Sequence, residues 1–321
     1  MIHQCNGTGL WIVITCLGLV SAAAGDTIYM GNYLPVTGNS ISQLDSDGGQ
    51  ASFAYVRYNS EPDTIRDVFI DLPANRMYWT IAGSYSTGHV RYADLQGNGL
   101  GTIYPSQTAY YLFGLAVDAS ADRVFVSHVS AGSRGLYAMS LAGGATTPLL
   151  TMPRGTIAGV AIDPVNQKIY ASHSVAADAI GNPADNRILR MDYDGGNLET
   201  LYTLGDTDHP GDLEIDLARN RLVFRHADGI AIGSTDGATP LQIIHPTLPS
   251  SISALGVSGD GQRVFVSDIT NDAIYSVNLD GSGESHIATV FNAYALESFV
   301  PEPASLLLLG LMSTLIASRR R

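Results

Sequence analysis

Gly159-Val160-Ala161-Ile162-Asp163 opens the stretch whose reading decides the fold. The turn Pro164-Val165-Asn166-Gln167 follows, then Lys168-Ile169-Tyr170-Ala171-Ser172-His173. Beyond a loop, Arg187-Ile188-Leu189-Arg190-Met191-Asp192-Tyr193 runs into the turn Asp194-Gly195-Gly196, and Leu198 to Leu201 forms a last short strand. Short apolar runs separated by Pro, Gly, Asn and Asp predict a four-stranded antiparallel meander ending at Leu201. Such a sheet has two faces and can bury neither alone. The chain answers this by repetition.

The opening strand and its acid recur as Val68-Phe69-Ile70-Asp71, Leu115-Ala116-Val117-Asp118 and Leu213-Glu214-Ile215-Asp216, with Leu255-Gly256-Val257-Ser258 as a fifth copy. Second strands recur at Arg76–Thr80, Arg123–Ser127, Arg221–Arg225 and Arg263–Ser267. From residue 71 the acid position steps by 47, 45, 53 and 42 residues. A four-stranded unit at that period predicts a β-propeller. Thr27–Met30 and Ile41–Asp45 read as the second and third strands of a blade that lacks its innermost strand. Tyr294-Ala295-Leu296-Glu297 is the candidate to supply it, with Glu297 read at the acid position. The expectation is an all-β, six-bladed propeller of four-stranded antiparallel blades over residues 26–299, closed by the C-terminal strand. Closure of this kind removes exposed sheet edges.

The first-strand pattern, Tyr78-Trp79-Thr80 and the Leu279-Asp280-Gly281 turn resemble the YWTD repeats of LDL-receptor-type six-bladed propellers. The family's Asp after Tyr-Trp-Thr is Ile81 here, and Asp268 alone retains it. The resemblance implies the architecture and leaves the activity open, because propellers host receptors, scaffolds and enzymes alike.

Residues 1–24 read as a signal peptide: Leu10–Val20 is apolar, and Ala22-Ala23-Ala24 offers a small-residue cleavage pattern before Gly25. A lipoprotein signal ending at Cys16 is the rival reading, with Thr15 where a small residue is expected. Cys5 and Cys16 are the two cysteines, so a processed chain would contain neither disulfide nor thiolate site. The chain has 17 basic and 30 acidic residues, net −13. That balance argues against nucleic acid and anionic lipid as partners.

Val300-Pro301-Glu302-Pro303, the apolar run Ala304–Ala317 and Arg319-Arg320-Arg321 complete the chain. The run is read as a transmembrane helix, and the arginines favour a cytoplasmic C-terminus. Residues 300–321 resemble the PEP-CTERM sorting signal. The resemblance implies processing by an exosortase, transient residence in the inner membrane, and delivery to the cell surface or extracellular matrix of a Gram-negative bacterium.

Aligning the residue after each second-strand core gives Asn32, Ile81, His128, His173, His226 and Asp268. Equivalent positions share one propeller face, so Asn32, His128, His173, His226 and Asp268 are the candidate ligand-binding face. Imidazoles and carboxylates are also metal ligands, and Asp206, Asp208, His209 and His245 lie in connections that could reach the same face. Second strands stand one step out from the axis, however, and the competing reading has each residue bonding its own loop or the next blade. No cofactor is expected; calcium or zinc is the alternative. The Asp-Gly turns at Asp45–Gly48 and Asp192–Gly195 lack the further ligands of a calcium loop and read as turn chemistry. The acids Asp71, Asp118, Asp163 and Asp216 are expected to accept backbone N–H bonds at their turns. Tyr104, Tyr110 and Tyr111 flank a loop between blades and are candidates for ligand contact. No catalytic residue is assigned, and none of the familiar nucleophile, metalloprotease or phosphate-loop motifs occurs. The first functional reading is a non-enzymatic protein- or polysaccharide-binding module. The alternative is a propeller enzyme, a metal-dependent lactonase or a polysaccharide lyase, working from the histidine face.

Overall fold

The computed structural model describes residues 26–34, 38–46, 64–82, 88–105, 111–130, 133–227, 229–244, 252–290 and 292–299. Residues 1–24, expected to be a signal peptide, residues 300–321, expected to be a sorting signal, Tyr110 and His245 lie outside them. Among the described residues no helix is long and apolar enough to cross a membrane.

The first blade contains β1 (Thr27–Leu34) and β2 (Gly38–Asp45). The second is β3 (Thr64–Asp71), β4 (Arg76–Ala82), β5 (His89–Asp94) and β6 (Gly101–Pro105), the third β7 (Tyr111–Asp118), β8 (Arg123–Val129), β9 (Arg134–Met139) and β10 (Thr147–Thr151). The fourth is β11 (Thr156–Asp163), β12 (Lys168–Ser174), β13 (Arg187–Asp192) and β14 (Glu199–Thr203). The fifth is β15 (Leu213–Asp216), β16 (Arg221–His226), β17 (Gly229–Ser234) and β18 (Gln242–Ile244). The sixth is β19 (Ile252–Val257), β20 (Arg263–Asp268), β21 (Ala273–Asn278) and β22 (Ser285–Thr289), after which β23 (Ala293–Phe299) returns to the first blade. The sheet order there is β2-β1-β23, so the last of the described strands is the innermost strand of the first blade.

Register corrects one expectation. Glu297 pairs with Tyr29, just as Phe69 pairs with Tyr78, whereas Asp71 pairs with Arg76 and Phe299 with Thr27. Glu297 therefore stands two residues before the acid position, which Phe299 occupies. The reason is that the ladder with β1 sets the register of β23, and no turn follows Glu297 for it to cap. The true acid positions behave as turn chemistry requires. Asp71 Oδ1 accepts the Ala74 N–H, Asp118 Oδ1 that of Ala121, Asp163 Oδ1 that of Asn166 and Asp216 Oδ1 that of Arg219. Each turn then closes through a left-handed residue, with φ of 52° at Asn75 and 54° at Asp122.

Side chains of a strand alternate between its two faces, and here both faces are covered. In β4, Met77, Trp79 and Ile81 pack towards the first blade while Tyr78 packs towards the third. That is why the second strands read as nearly unbroken apolar runs. The described residues form six apolar clusters, each shared by two neighbouring blades, and the cluster of Ile28, Met30, Leu296, Ala254 and Phe265 joins the sixth blade to the first. The core is thus a closed ring of interfaces with no central mass.

Polar ties reinforce these interfaces close to the axis. Ser127 Oγ accepts the Gly114 N–H within its blade and donates to the Ile157 carbonyl of the next. Ser172 repeats this with the Gly159 N–H and the Gly211 carbonyl, and Thr80 donates to the Phe113 carbonyl. Buried backbone groups without partners are costly, so these hydroxyls satisfy inner-strand groups that a bulge removes from the ladder. Ser172→Ala, at a fully buried site, should lower stability by about 1–3 kcal/mol, read as a shifted midpoint in chemical denaturation. Serine substitutions on exposed turns should shift it far less.

Candidate functional site

The inner strands begin at one rim of the channel and end at the turns on the opposite rim. The second strands run the other way, so His128, His173 and His226 lie on the rim where the inner strands start. At equivalent places the sequence has alternatives. Gly114 and Gly159 occupy the position that holds Asp67 in β3 and Asp212 just before β15. Where the Gly stands, the second-strand serine makes the link to the next blade. Where Asp stands, the carboxylate also reaches the next blade: Asp67 Oδ2 accepts the Leu115 N–H at 2.6 Å and Asp212 Oδ2 the Leu255 N–H at 2.9 Å. Each also accepts the N–H of the residue after it, Val68 or Leu213.

Two residues further on, Glu214 and Glu297 face the same channel. The wall of the cavity is completed by Val68, Phe69, Leu115, Ala116, Val160, Ala161, Ile162, Leu213 and Ile215, around a volume of about 120 Å³. Four carboxyl groups from β3, β15, its preceding residue and β23 thus converge on an otherwise apolar lumen. Each is half-buried and keeps part of its surface open to the lumen. Burial is the main reason that all four are pushed up from ordinary carboxyl values: Asp212 to about 6 and Glu297 to about 8, with Asp67 and Glu214 well above their usual range. The mutual proximity of the acids adds to the rise, Asp212 raising Glu297 and Glu297 raising Glu214. The backbone donors and the Arg225 guanidinium oppose it at Asp212.

At the rim above them sits Arg66. Its guanidinium carbon lies 5.3 Å from the centre of the Tyr294 ring and 5.8 Å from that of Phe113, within cation–π range. Burial lowers the Arg66 pKa, while the neighbouring Tyr294 and Tyr111 hydroxyls raise it. Its Nε has no hydrogen-bond partner among the described residues, and Tyr111 beside it is 43 % exposed. A half-buried cation and three aromatic rings from adjacent blades make up the mouth of the channel.

The five residues aligned from the sequence do lie towards this face, but each is engaged locally. Asn32 Nδ2 donates to Ser42 Oγ. His128 stacks on Tyr137, ring centres 4.0 Å apart, with Nε2 3.3 Å from Ser133 Oγ, and burial pushes it down to about 4. His173 has Nε2 3.4 Å from the Arg154 carbonyl and Nδ1 3.9 Å from Asp185, and burial lowers it as well. His226 Nε2 lies 3.4 Å from Asp208. Asp268 accepts the N–H groups of Thr270 and Asn271 and the Asn271 side-chain amide. Asp192 and Asp194 serve their own turn, Asp192 paired with Lys168 and Asp194 accepting the Gly196 N–H. No group of three or more His, Cys, Asp or Glu among the described residues is arranged to hold a metal ion. Glu297 was read from the sequence only as a turn acid, and the other three channel acids carried no site expectation, although a signal existed. Asp67, Asp212 and Glu214 interrupt inner strands whose counterparts, such as Gly114-Leu115-Ala116-Val117, are uncharged.

No protein-family model and no curated protein matches the chain. Solved structures do. A chain of the nidogen/laminin complex aligns over 85 % of this chain and 98 % of its own, at 15 % identity and a TM-score of 0.69. TolB from Acinetobacter baumannii aligns over 87 % of this chain and 67 % of its own, at 14 % identity and 0.64. A protein from Bacteroides fragilis assigned as a 6-phosphogluconolactonase aligns over 87 % and 99 %, at 13 % identity and 0.52. The chain is a six-bladed β-propeller. At such identities the likeness concerns the propeller fold, which binding proteins and enzymes share.

Proposed function

We propose that the protein is an exported binding module whose propeller takes a protein or polysaccharide ligand at the channel mouth. The observation that carries this reading is Arg66, held between Phe113 and Tyr294 beside the exposed Tyr111. Arg and aromatic side chains concentrate binding energy at recognition surfaces because they offer large contact area with few torsions to freeze. A propeller of the same fold occurs in the nidogen/laminin complex, which supports a protein-binding use of this architecture. The Pro301-Glu302-Pro303 motif, the apolar segment 304–317 and Arg319-Arg320-Arg321 support a reading in which the module reaches the cell surface or extracellular matrix after inner-membrane transit and exosortase processing.

The test has two arms. The protein is presented to surface proteins and to matrix polysaccharide from the producing cells. Arg66→Ala should weaken capture by the productive fraction about tenfold at unchanged melting temperature. Equal capture by wild type and variant would remove the mouth from consideration. In cells, alanines at Pro301, Glu302 and Pro303 should hold the protein in the membrane fraction, and normal release would refute the sorting role.

One observation favours a second reading. Carboxyl groups pushed up towards neutrality in a cavity are general-acid candidates, and the Bacteroides fragilis structure carries a lactonase assignment. An extracytoplasmic hydrolase or lyase would use Glu214 and Glu297, and Glu297→Gln would abolish its turnover while leaving capture at the mouth intact.

A further inference from the structure

Glu297 is carried by β23, and β23 differs from every other inner strand. Each of the other five runs through a tight turn into the second strand of its own blade. By contrast, β23 is joined to β1 by hydrogen bonds and packing alone. Ala295 enters the cluster shared with the second blade, and Ala293 and Leu296 the cluster shared with the sixth. This is the seam of the ring, and a carboxyl group that it presents to the lumen faces three others. Asp67 projects from β3, next to the seam on one side. Glu214 and Asp212 lie on the other side, beyond the sixth blade, whose equivalent residue Gly256 contributes no side chain.

We infer that these four carboxyl groups form a proton-operated fastener, holding β23 in the ring while they are protonated and loosening it as they ionise.

The surroundings leave a carboxylate on β23 uncompensated. Among the described residues, Arg225 of β16 acts on Asp212, and Arg66 is occupied at the mouth between two aromatic rings. From β7 and β11 the lumen receives Leu115, Ala116, Val160, Ala161 and Ile162, none of which can stabilise charge. Tyr29, the cross-strand partner of Glu297, is itself pushed up by burial and stays neutral. Asp67 and Asp212 accept two backbone N–H bonds each. Glu214 and Glu297 accept none among the described residues, so their ionisation meets both desolvation and like charge.

The direction of the effect follows from linkage. A carboxyl whose folded value lies above its unfolded value keeps its proton longer in the folded state. Its favourable contribution is complete below the unfolded value, near pH 4, and is lost as pH rises through the folded values, about 6 at Asp212 and about 8 at Glu297. The surface acids act oppositely. Asp94, Asp178 and Asp280 are held below their usual range by hydrogen bonds, so their contribution disappears only when pH falls below about 4. Stability should therefore peak at mildly acidic pH and decline through neutrality.

The experiment is a melting series on the full-length protein from pH 4 to 9, with Glu297→Gln and Glu214→Gln alongside wild type. The wild-type melting temperature should fall by roughly 5–10 °C between pH 5 and pH 9. Both variants should melt higher than wild type at pH 9 and show a flatter profile. Hydrogen exchange should place the loosening in β23, its amides losing protection relative to those of β11 in the same sample. A wild-type profile that is flat or rising over this range overturns the inference. So do Gln variants that keep the wild-type slope, and so does an alkaline loss of protection spread evenly over all blades. Calcium or zinc added at pH 8 should not restore the acid-pH melting temperature; if it did, the acids would be an ion site and the fastener would be refuted. Should Glu297→Gln fail to fold, Glu214→Gln decides alone, because Glu214 lies on a strand that its own turn secures.

Discussion

Removal of Ala293–Phe299 should produce a chain that no longer melts as one unit. The deletion takes away the ladder partner of β1 from Thr27 to Asn32. It also takes Ala295 from one interface cluster and Ala293 and Leu296 from another, and the bond from Ser298 Oγ to the Val257 carbonyl of the sixth blade. In an ordinary two-layer protein the loss of an edge strand is a local injury. Here β23 is the innermost strand of a blade wedged between two others, so both flanking interfaces lose apolar area together and β1 acquires a bare edge. Exposed edges template association between chains. We expect the truncated protein to melt at least roughly 15 °C lower or to aggregate on purification. A synthetic peptide covering residues 293–299, added during refolding, should recover part of the loss. A truncated protein melting within roughly 2 °C of wild type would show that the ring does not depend on its last strand.

Trp79→Ala should be a more damaging substitution than Ser172→Ala. Trp79 is 1 % exposed and the largest side chain of the cluster between the first and second blades, among Tyr29, Ile41, Val68, Ile81 and Ala295. Truncation removes the transfer free energy of an indole and leaves a cavity that sheets fixed on both sides cannot fill. Large aromatic truncations of this kind cost about 3–5 kcal/mol, which for a domain of this size corresponds to a fall of roughly 5–10 °C. Trp79→Phe should cost much less, since most of the apolar volume stays. A melting temperature for Trp79→Ala close to that of wild type would mean that this interface relaxes freely, contrary to the close packing of both faces of β4.

The repeat was legible because its punctuation is chemical. Asp71, Asp118, Asp163 and Asp216 cap turns that need an acceptor at that point, and the apolar runs of second strands follow from burial on two sides. Closure by residues 293–299 was legible from counting strands, but its register was not. The acid position can be recognised only by the turn that follows it, and β23 has none, so Glu297 was placed two residues off. The aligned histidines stand apart for a geometric reason that the sequence already implied. Equal sequence positions in successive blades give equal radius and height around the axis, so His128, His173 and His226 are kept apart by the very symmetry that aligns them. Residues meet at the axis when they stand on inner strands, and there the informative signal was a charge inside an apolar run, at Asp67, Asp212 and Glu214. The aromatic mouth was half visible, since Tyr111 was noted from its loop, while Arg66, Phe113 and Tyr294 became neighbours only through the ring.

Thr27 and Phe299 are cross-strand partners, at the height where each other blade has its turn from first strand to second. Topologically the chain is a circle cut at one hairpin. The position of the cut matters little to the packing, because a short linker from Phe299 to Thr27 would only restore the turn that the other five blades possess. It matters for display. Thr27 and Phe299 both lie on the side of the turns, opposite Arg66 and its aromatic neighbours, so the two ends of the ring leave the channel mouth unobstructed.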